Sequence, residues 1–304
     1  MGVEKSDERQ LNDKKQRYNL KDLKVRLPIA LVLMLMTWIS PLRADLPFVD
    51  EMTVYSPKKG VGFANNDGQF DRLAPDIDRL GCSWYYDWSP RPESNGQHIA
   101  AEFVPMIWGA TDCTDKNLLK LRESGGKSLL GFNEPDSGSQ ADMSVDQALE
   151  LWPKLMGTGL RLGSPAPSSS GVWLPDFMRQ ASARGYRVDF ICLHWYGDVT
   201  DPQAVDHLRD FLVENWKRYD KPIWLTEFSG SSGAWLKLHS PPVTVEKNAA
   251  FVRKAIPMLE SLPFVERYAW FELKWNRKPW AHVALIDPKT GQPTLTGDAY
   301  RTTK

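Results

Sequence analysis

Cysteine is scarce in this sequence. Only three are present among 304 residues, Cys82, Cys113 and Cys192. An odd number cannot pair completely within one chain, so at least one thiol stays unpaired. Cys82 and Cys192 lie in apolar, strand-like runs and are expected to be buried, while a Cys82–Cys113 bridge stays open. No Cys/His spacing resembles a metal site, so the sequence predicts no metal.

Several well-known catalytic and binding patterns are missing as well. The chain has no Gly-x-Ser-x-Gly, which disfavours a serine hydrolase, and no His-Glu-x-x-His. The glycine-bearing stretch 62–68 does not match a dinucleotide-binding fingerprint. There is no internal repeat and no low-complexity segment.

An excess of one charge is also lacking, because 38 basic residues balance 38 acidic ones. The balance is uneven along the chain: residues 1–44 hold nine Lys or Arg against five Asp or Glu. Residues 45–304 are therefore mildly acidic. This charge argues against a nucleic-acid partner and is compatible with a neutral polysaccharide.

The one long hydrophobic run, residues 27–39, is too short for a comfortable membrane span and follows the basic residues Lys24 and Arg26. We predict that residues 1–44 are a secretory signal cut after Ala44. An uncleaved membrane anchor over residues 27–42 is the alternative, and a buried core helix is the third. The first two put residues 45–304 outside the cytoplasm, with membrane contact only through the N-terminal segment. Nothing in the sequence argues for more than a monomer.

Short apolar runs alternate with amphipathic segments after residue 50. Eight strands are predicted at 61–65, 83–88, 102–109, 128–133, 160–165, 188–196, 222–227 and 267–273. Helices are predicted at 70–80, 115–123, 144–156, 174–183, 201–219, 244–259 and 297–301. This alternation indicates an α/β fold, a single-domain (β/α)8 TIM barrel with some short or missing helices. An open doubly wound sheet is the rival architecture.

Two glutamates end two of these strands. Pro135 cannot donate to a sheet ladder, so Glu134 lies at the carboxyl tip of the fourth strand. Glu227 lies at the tip of the seventh, and active sites of this fold lie at the carboxyl ends of the strands. A retaining glycosidase needs two carboxyl groups about 5–5.5 Å apart. We therefore predict that Glu134 is the acid/base and Glu227 the nucleophile. The structural alternative for Glu134 is a salt-bridged strand end or a helix N-cap carboxylate.

Neighbouring polar residues fit the same site. The side-chain amide of Asn133 is placed to donate to a sugar hydroxyl next to the reacting carbon. Alternation along the sixth strand puts His194 and Tyr196 on one side and Trp195 on the other. Tyr196 is expected to hold Glu227 ionised by hydrogen bonding, and His194 could do likewise. The alternative for His194 is a satisfied buried histidine.

Tryptophan is unusually abundant, with 13 residues. Indoles stack well on sugar rings, so part of this excess is expected to line a carbohydrate cleft, while about half would pack the core. Trp108, Trp270 and Trp275 lie at or after strand tips. They are predicted to be sugar platforms, with core packing as the alternative for each.

Four motifs together are similar to glycoside hydrolase family 128: Gly131-Phe132-Asn133-Glu134-Pro135-Asp136, His194-Trp195-Tyr196-Gly197, Trp224-Leu225-Thr226-Glu227-Phe228 and Tyr268-Ala269-Trp270-Phe271. The similarity covers roughly residues 58–302. That family belongs to clan A and consists of β-1,3-glucanases with a (β/α)8 barrel. The resemblance implies retaining hydrolysis of β-1,3-glucan by Glu134 as acid/base and Glu227 as nucleophile, without a cofactor.

Two other functions stay open. A non-catalytic β-glucan-binding protein could use the same barrel, although the presence of both glutamates disfavours it. A clan A glycosidase acting on another β-glycan is the second alternative. Endo or exo action, linkage and chain-length preference do not follow from the sequence.

Overall fold

The computed structural model describes residues 52–64, 73–92, 98–123, 126–169, 171–231, 243–274 and 280–304, with residue 280 as backbone only. The strands are β1 Ser56–Gly62, β2 Cys82–Tyr86, β3 Glu102–Phe103, β4 Ser128–Leu129, β5 Arg161–Leu162, β6 Ile191–Asp198, β7 Ile223–Ser231 and β8 Val265–Trp270. The helices are α1 Leu73–Arg79, α2 Asp115–Glu123, α3 Val145–Met156, α4 Trp173–Ala183, α5 Ala204–Tyr219, α6 Val245–Ser261 and α7 Leu295–Thr302.

The strands pair in parallel and follow one another around a ring. Six of them form a sheet in the order β3-β2-β1-β8-β7-β6, and β4 pairs with β5. Isolated parallel bridges from Met106 to Leu130 and from Gly163 to Phe190 connect the two sheets. The predicted α/β barrel is confirmed, and the helices lie between successive strands in the chain.

The boundary of the first strand was predicted wrongly. β1 begins at Ser56, five residues before the predicted start at Val61. The stretch Pro57-Lys58-Lys59 looks like an exposed turn, yet Lys59 is fully buried. The start of the fifth helix also differs. Asp201 accepts the backbone N–H of Gln203 at 2.8 Å in a preceding turn, so α5 begins only at Ala204.

Large aromatic side chains fill the inside of the barrel. Trp84, Tyr86, Phe190 and Trp224 are fully buried in one apolar cluster. Glycine makes room for them, because a Cβ at Gly60 would lie 2.3 Å from the Trp84 ring. Inward-pointing side chains therefore form a packed core here, as in other barrels of this type. This packing accounts for part of the tryptophan excess.

The two adjacent lysines of β1 close the ends of two helices. The Lys58 Nζ donates to the carbonyls of Glu260 at 3.0 Å and Leu262 at 2.9 Å, at the carboxyl end of α6. The Lys59 Nζ donates to Val54 at 2.7 Å and to Tyr300 at 3.0 Å, in the last turn of α7. Burial lowers the pKa of Lys59, although the neighbouring Cys82 and Glu260 oppose that shift. A cation at a helix carboxyl end is stabilising, because it meets the negative end of the helix dipole and unpaired carbonyls.

All three cysteines are buried and free, so no Cys82–Cys113 bridge forms. Burial raises the pKa of Cys82 to about 12. Among the described residues, no helix is long and apolar enough to cross a membrane. The predicted anchor over 27–42 and the domain boundary after residue 44 lie outside the described residues and stay predictions.

We expect Lys58→Met to lower the free energy of unfolding by about 1–2 kcal/mol, because the carbonyls at the end of α6 lose a charged donor. Urea unfolding of the variant beside the unmutated protein would measure this loss. Lys254→Met is the matched control, since Lys254 is an exposed lysine of the same helix. Equal stabilities of the two variants would contradict the capping role.

Candidate active site

A tight turn presents Glu134 at the tip of the fourth strand. The backbone N–H of Glu134 donates to the Ala166 carbonyl at 2.8 Å, and the Glu134 carbonyl accepts from Ser137 at 3.0 Å. Glu134 has a φ of 42°, in the left-handed region that non-glycine residues rarely enter. Such backbone outliers concentrate at functional sites. The Glu134 side chain keeps 15% of its surface accessible, so a substrate can reach it.

Glu227 is the more deeply placed carboxylate, with 6% of its side chain accessible. Its Oε1 accepts the indole N–H of Trp88 at 2.8 Å, and the Tyr86 hydroxyl lies 3.3 Å from the same atom. Its Oε2 accepts the hydroxyl of Tyr196. Hydrogen bonds to the ionised form favour a carboxylate over a neutral acid. The predicted contact between Tyr196 and Glu227 is therefore confirmed by the geometry.

His194 lies between the two glutamates. Its Nδ1 is 3.0 Å from Glu134 Oε1, and its Nε2 is 3.5 Å from Glu227 Oε1. Its hydrogen bond is thus to Glu134, whereas the sequence suggested Glu227. One carboxylate oxygen from each glutamate and one ring nitrogen all lie within 4.8 Å of one another. An oxygen–oxygen approach this close favours a retaining pair, whose carboxyl groups lie about 5–5.5 Å apart, over an inverting pair at roughly 6.5–9.5 Å.

The buried charges set the protonation of the groups around them. Burial by itself would lower the pKa of His194, but the charges of Glu227 and Glu134 and the hydrogen bond to Glu134 outweigh burial and raise it. Burial, followed by the charge of Glu227, raises the pKa of both Tyr86 and Tyr196 well above the usual range. Both phenols therefore stay protonated and act as donors.

Glu134, His194 and Glu227 are also the described residues whose ligand atoms lie close enough to hold a metal ion. Several of their polar atoms already have partners: Nδ1 of His194 contacts Glu134, and both oxygens of Glu227 accept hydrogen bonds, whereas the buried Nε2 of His194 makes no hydrogen bond to a residue that the structure describes. A cation at this position would have to replace those contacts.

Two of the other predicted site residues lie beside Glu134. Asn133 is buried, and its amide lies 3.4 Å from Gln140 Oε1. The Asn133 backbone N–H donates to the Trp108 carbonyl at 2.8 Å. Trp108 is partly exposed and can still offer its ring to a ligand. Trp275 lies outside the described residues, so its role stays a prediction.

The prediction that Trp270 is a sugar platform is wrong. Its side chain is fully buried, its indole N–H donates to the Val283 carbonyl at 2.7 Å, and its ring packs against Phe228 and Tyr300. The next residue, Phe271, is partly exposed instead. β8 ends at Trp270, and the side chain beyond the last paired residue turns towards the site.

Sequence reasoning missed three side chains of the site. Tyr86 and Trp88 contact Glu227, and the Phe271 ring centroid lies 5.8 Å from that of Trp88 and 5.7 Å from that of Tyr196. The alternation of Trp84, Tyr86 and Trp88 along the predicted strand 83–88 is a signal that could have found Tyr86 and Trp88. No comparable signal marks Phe271.

Comparison with known proteins agrees with this geometry. Residues 62–300 match the family described as "Glycosyl hydrolase catalytic core". A family 128 subgroup I endo-β-1,3-glucanase from Amycolatopsis mediterranei, crystallised with laminaritriose, is 40% identical, with a TM-score of 0.72 over 81% of this chain and 99% of that one. The chain belongs to glycoside hydrolase family 128.

Other family 128 relatives differ in their mode of action. A subgroup III curdlan-specific exo-β-1,3-glucanase from Blastomyces gilchristii is 30% identical, with a TM-score of 0.64 over 81% of this chain and 97% of that one. Alkali-sensitive linkage protein 1 of Schizosaccharomyces pombe is 33% identical over 203 residues, which are 63% of this chain and 34% of that protein. The match thus spans about a third of the length of this relative.

We expect the imidazole of His194 to titrate above the ordinary histidine range, and Glu134→Gln or Glu227→Gln to bring its pKa down, because each removes a neighbouring anion. Since folding raises the pKa of His194, its protonation stabilises the fold fully below the unfolded value, and this contribution is lost as pH rises through the folded value.

Nitrogen-detected NMR of the imidazole across pH would measure this titration. Glu214→Gln, an exposed glutamate on α5, is the control and should leave the titration unchanged. A His194 resonance that stays unmoved in both active-site variants would contradict the electrostatic coupling.

Proposed function

We propose that this protein is a retaining glycoside hydrolase that cleaves β-1,3-glucan. The observation that carries the proposal is the pair Glu134 and Glu227, with carboxylate oxygens within 4.8 Å of each other; Glu134 follows β4 in the chain, and Glu227 lies within β7. The family 128 relatives crystallised with laminari-oligosaccharides support the substrate class.

In the first step Glu134 donates its proton to the glycosidic oxygen as the C–O bond breaks. Glu227 attacks the anomeric carbon from the opposite face, and a covalent glycosyl-enzyme forms. In the second step Glu134 takes a proton from water, and the resulting hydroxide displaces Glu227. Two inversions leave the product with the configuration of the substrate, the β-anomer.

His194 has a positioning role in this scheme. Its Nδ1 is 3.0 Å from Glu134 Oε1, so the two residues form a coupled pair that can share one proton. Its ring also faces Glu227 at 3.5 Å. A protonated imidazole there reduces the repulsion between the two carboxylates when both are ionised.

The aromatic and amide groups around the pair would hold the sugar. Asn133 and Trp108 lie on the Glu134 side, and Phe271 lies near Tyr196 and Trp88 on the Glu227 side. A neutral polysaccharide needs aromatic stacking and hydrogen bonds rather than countercharges, which suits these side chains. Trp275 stays a predicted platform, and the proposal includes no nucleic acid and no cofactor.

We propose that the protein acts outside the cytoplasm as a monomer. The basic and hydrophobic pattern of residues 1–44 supports secretion or anchoring, with the anchor over residues 27–42.

The purified chain is expected to release reducing sugar from laminarin, and Glu134→Ala and Glu227→Ala are each expected to lower the rate by about 10²- to 10⁴-fold or more, because each removes a reacting group. Proton NMR of the first products should show the β-anomer. Glu214→Ala, on the exposed face of α5, is the control and should keep full activity.

Different failures lead to different conclusions. Binding of laminarin without cleavage would favour a non-catalytic glucan-binding protein. An inert laminarin with cleavage of mannan, xylan or β-1,4-glucan would indicate a clan A glycosidase of another specificity. An initial α-anomer would contradict the retaining mechanism.

The roles of the two glutamates can be separated by the leaving group. Glu134→Gln should cleave laminarin very slowly but retain glycosylation of an aryl laminarioside with an acidic phenol, because such a leaving group needs no protonation. The alkaline limb of the rate profile should also disappear with that substrate. A variant equally slow on both substrates would show that Glu134 is not the acid.

A further inference from the structure

We propose that Trp88 is a positioning residue for the nucleophile: its indole N–H fixes Glu227 for attack, and the ring is not primarily a sugar platform. The inference rests on the proposed function and assigns a task to a residue that the sequence patterns left unassigned.

The contact to Glu227 is direct and well aligned. The Trp88 Nε1 lies 2.8 Å from Glu227 Oε1. Tyr86 shares this oxygen at 3.3 Å, but its single hydroxyl proton lies closer to the Thr226 carbonyl, at 2.9 Å. An indole N–H is a donor only, and its position is fixed by the ring. Trp88 is therefore the principal donor to Oε1.

Charged donors do not supply this function. In the described part of the chain, the ion pairs of both Glu134 and Glu227 are with His194 alone. No lysine or arginine among those residues pairs with either glutamate. The nucleophile is thus oriented mainly by two neutral donors, Trp88 on Oε1 and Tyr196 on Oε2. Loss of one of two such donors should have a large effect on its orientation.

The backbone and the packing hold the indole in this place. Trp88 has a φ of 55°, which for a bulky aromatic residue is an outlier that the surroundings must maintain. Its ring lies 4.8 Å from that of Tyr86 and 5.8 Å from that of Phe271. Gly62 on β1 leaves the space, because a Cβ there would lie 2.8 Å from Trp88 Cη2. A strained residue kept against Glu227 by three neighbours is consistent with a positioning task.

The reaction also requires an oriented nucleophile. A bond forms between a Glu227 oxygen and the anomeric carbon, the bond to the leaving oxygen breaks, and Glu134 supplies the proton to that oxygen. The rate depends on a carboxylate that is ionised and aimed, and a donor on Glu227 contributes to both. Substrate binding does not require this donor.

The test is Trp88→Phe, which keeps an aromatic ring and removes the N–H. We expect kcat on laminarin to fall about 10- to 100-fold, with KM within about twofold of the unmutated enzyme. The acid limb of the kcat/KM profile should move to higher pH, because the ionised form of Glu227 loses a donor. Trapping by an aryl 2-deoxy-2-fluoro-laminaribioside should slow by a similar factor, since it reports glycosylation alone.

Two further variants make the result specific. Gly62→Ala leaves Trp88 in the sequence but displaces its ring, and it should reproduce the slower trapping. Trp152→Phe is the matched control: its indole N–H on α3 donates to the Arg187 carbonyl at 2.9 Å, away from the two glutamates. This control should leave kcat and the position of the acid limb of the kcat/KM profile unchanged. Thermal unfolding of each variant would confirm that it is folded.

Each other outcome decides against the proposal. A raised KM with unchanged kcat and acid limb would make Trp88 a substrate platform. If the unmutated protein is active and Trp88→Phe has the same kcat, KM and acid limb, the role of Trp88 is overturned and the proposed function stands. An unmutated protein that cleaves no glycan would overturn the proposed function, and this inference with it.

Discussion

The burial of two carboxylates and an imidazole, with ligand atoms within 4.8 Å of one another, is the constraint on which the site depends. Removing charges from water is costly unless partners compensate them. Here the imidazole of His194 compensates both glutamates, and Trp88 and Tyr196 supply neutral donors to Glu227. The site is stable only as a set, because removing one member leaves a buried charge with fewer partners. Its parts come from strands far apart in sequence.

The barrel makes that set geometrically feasible. β6 and β7 are adjacent and parallel, with His194 in register with Glu227 after an irregularity at Leu193. The tips of β2 and β4 bring Trp88 and Glu134 to the same end. Below them, the interior is filled by aromatic side chains that glycines of the neighbouring strands accommodate. This packed apolar layer excludes water from beneath the carboxylates and restricts their movement.

Much of this arrangement was predictable, and the failures have a common cause. Glu134 could be found because Pro135 marks where strand pairing ends, and Tyr196 because alternation fixes its side. Glu227 was found at the end of an apolar run, but the prediction that its strand ends there was wrong, because β7 continues to Ser231. Trp270 and Phe271 were confused because a shift of one residue at the strand end exchanges the buried and the exposed aromatic side chain. The start of β1 was placed too late because the burial of Lys59 depends on carbonyl partners such as Tyr300 on α7, which become visible only in three dimensions.

The nature of the donors has a consequence for how the site responds to pH. An arginine beside Glu227 would keep a positive charge at every accessible pH. Trp88, Tyr86 and Tyr196 carry none, and burial next to Glu227 raises the pKa of both tyrosines further. Among the residues that the structure describes, the positive charge paired with the two carboxylates comes from His194, whose raised pKa depends on those same carboxylates. The protonation of His194 is consequently linked to the charges of Glu134 and Glu227. A change at any one of the three alters the protonation on which the other two rely.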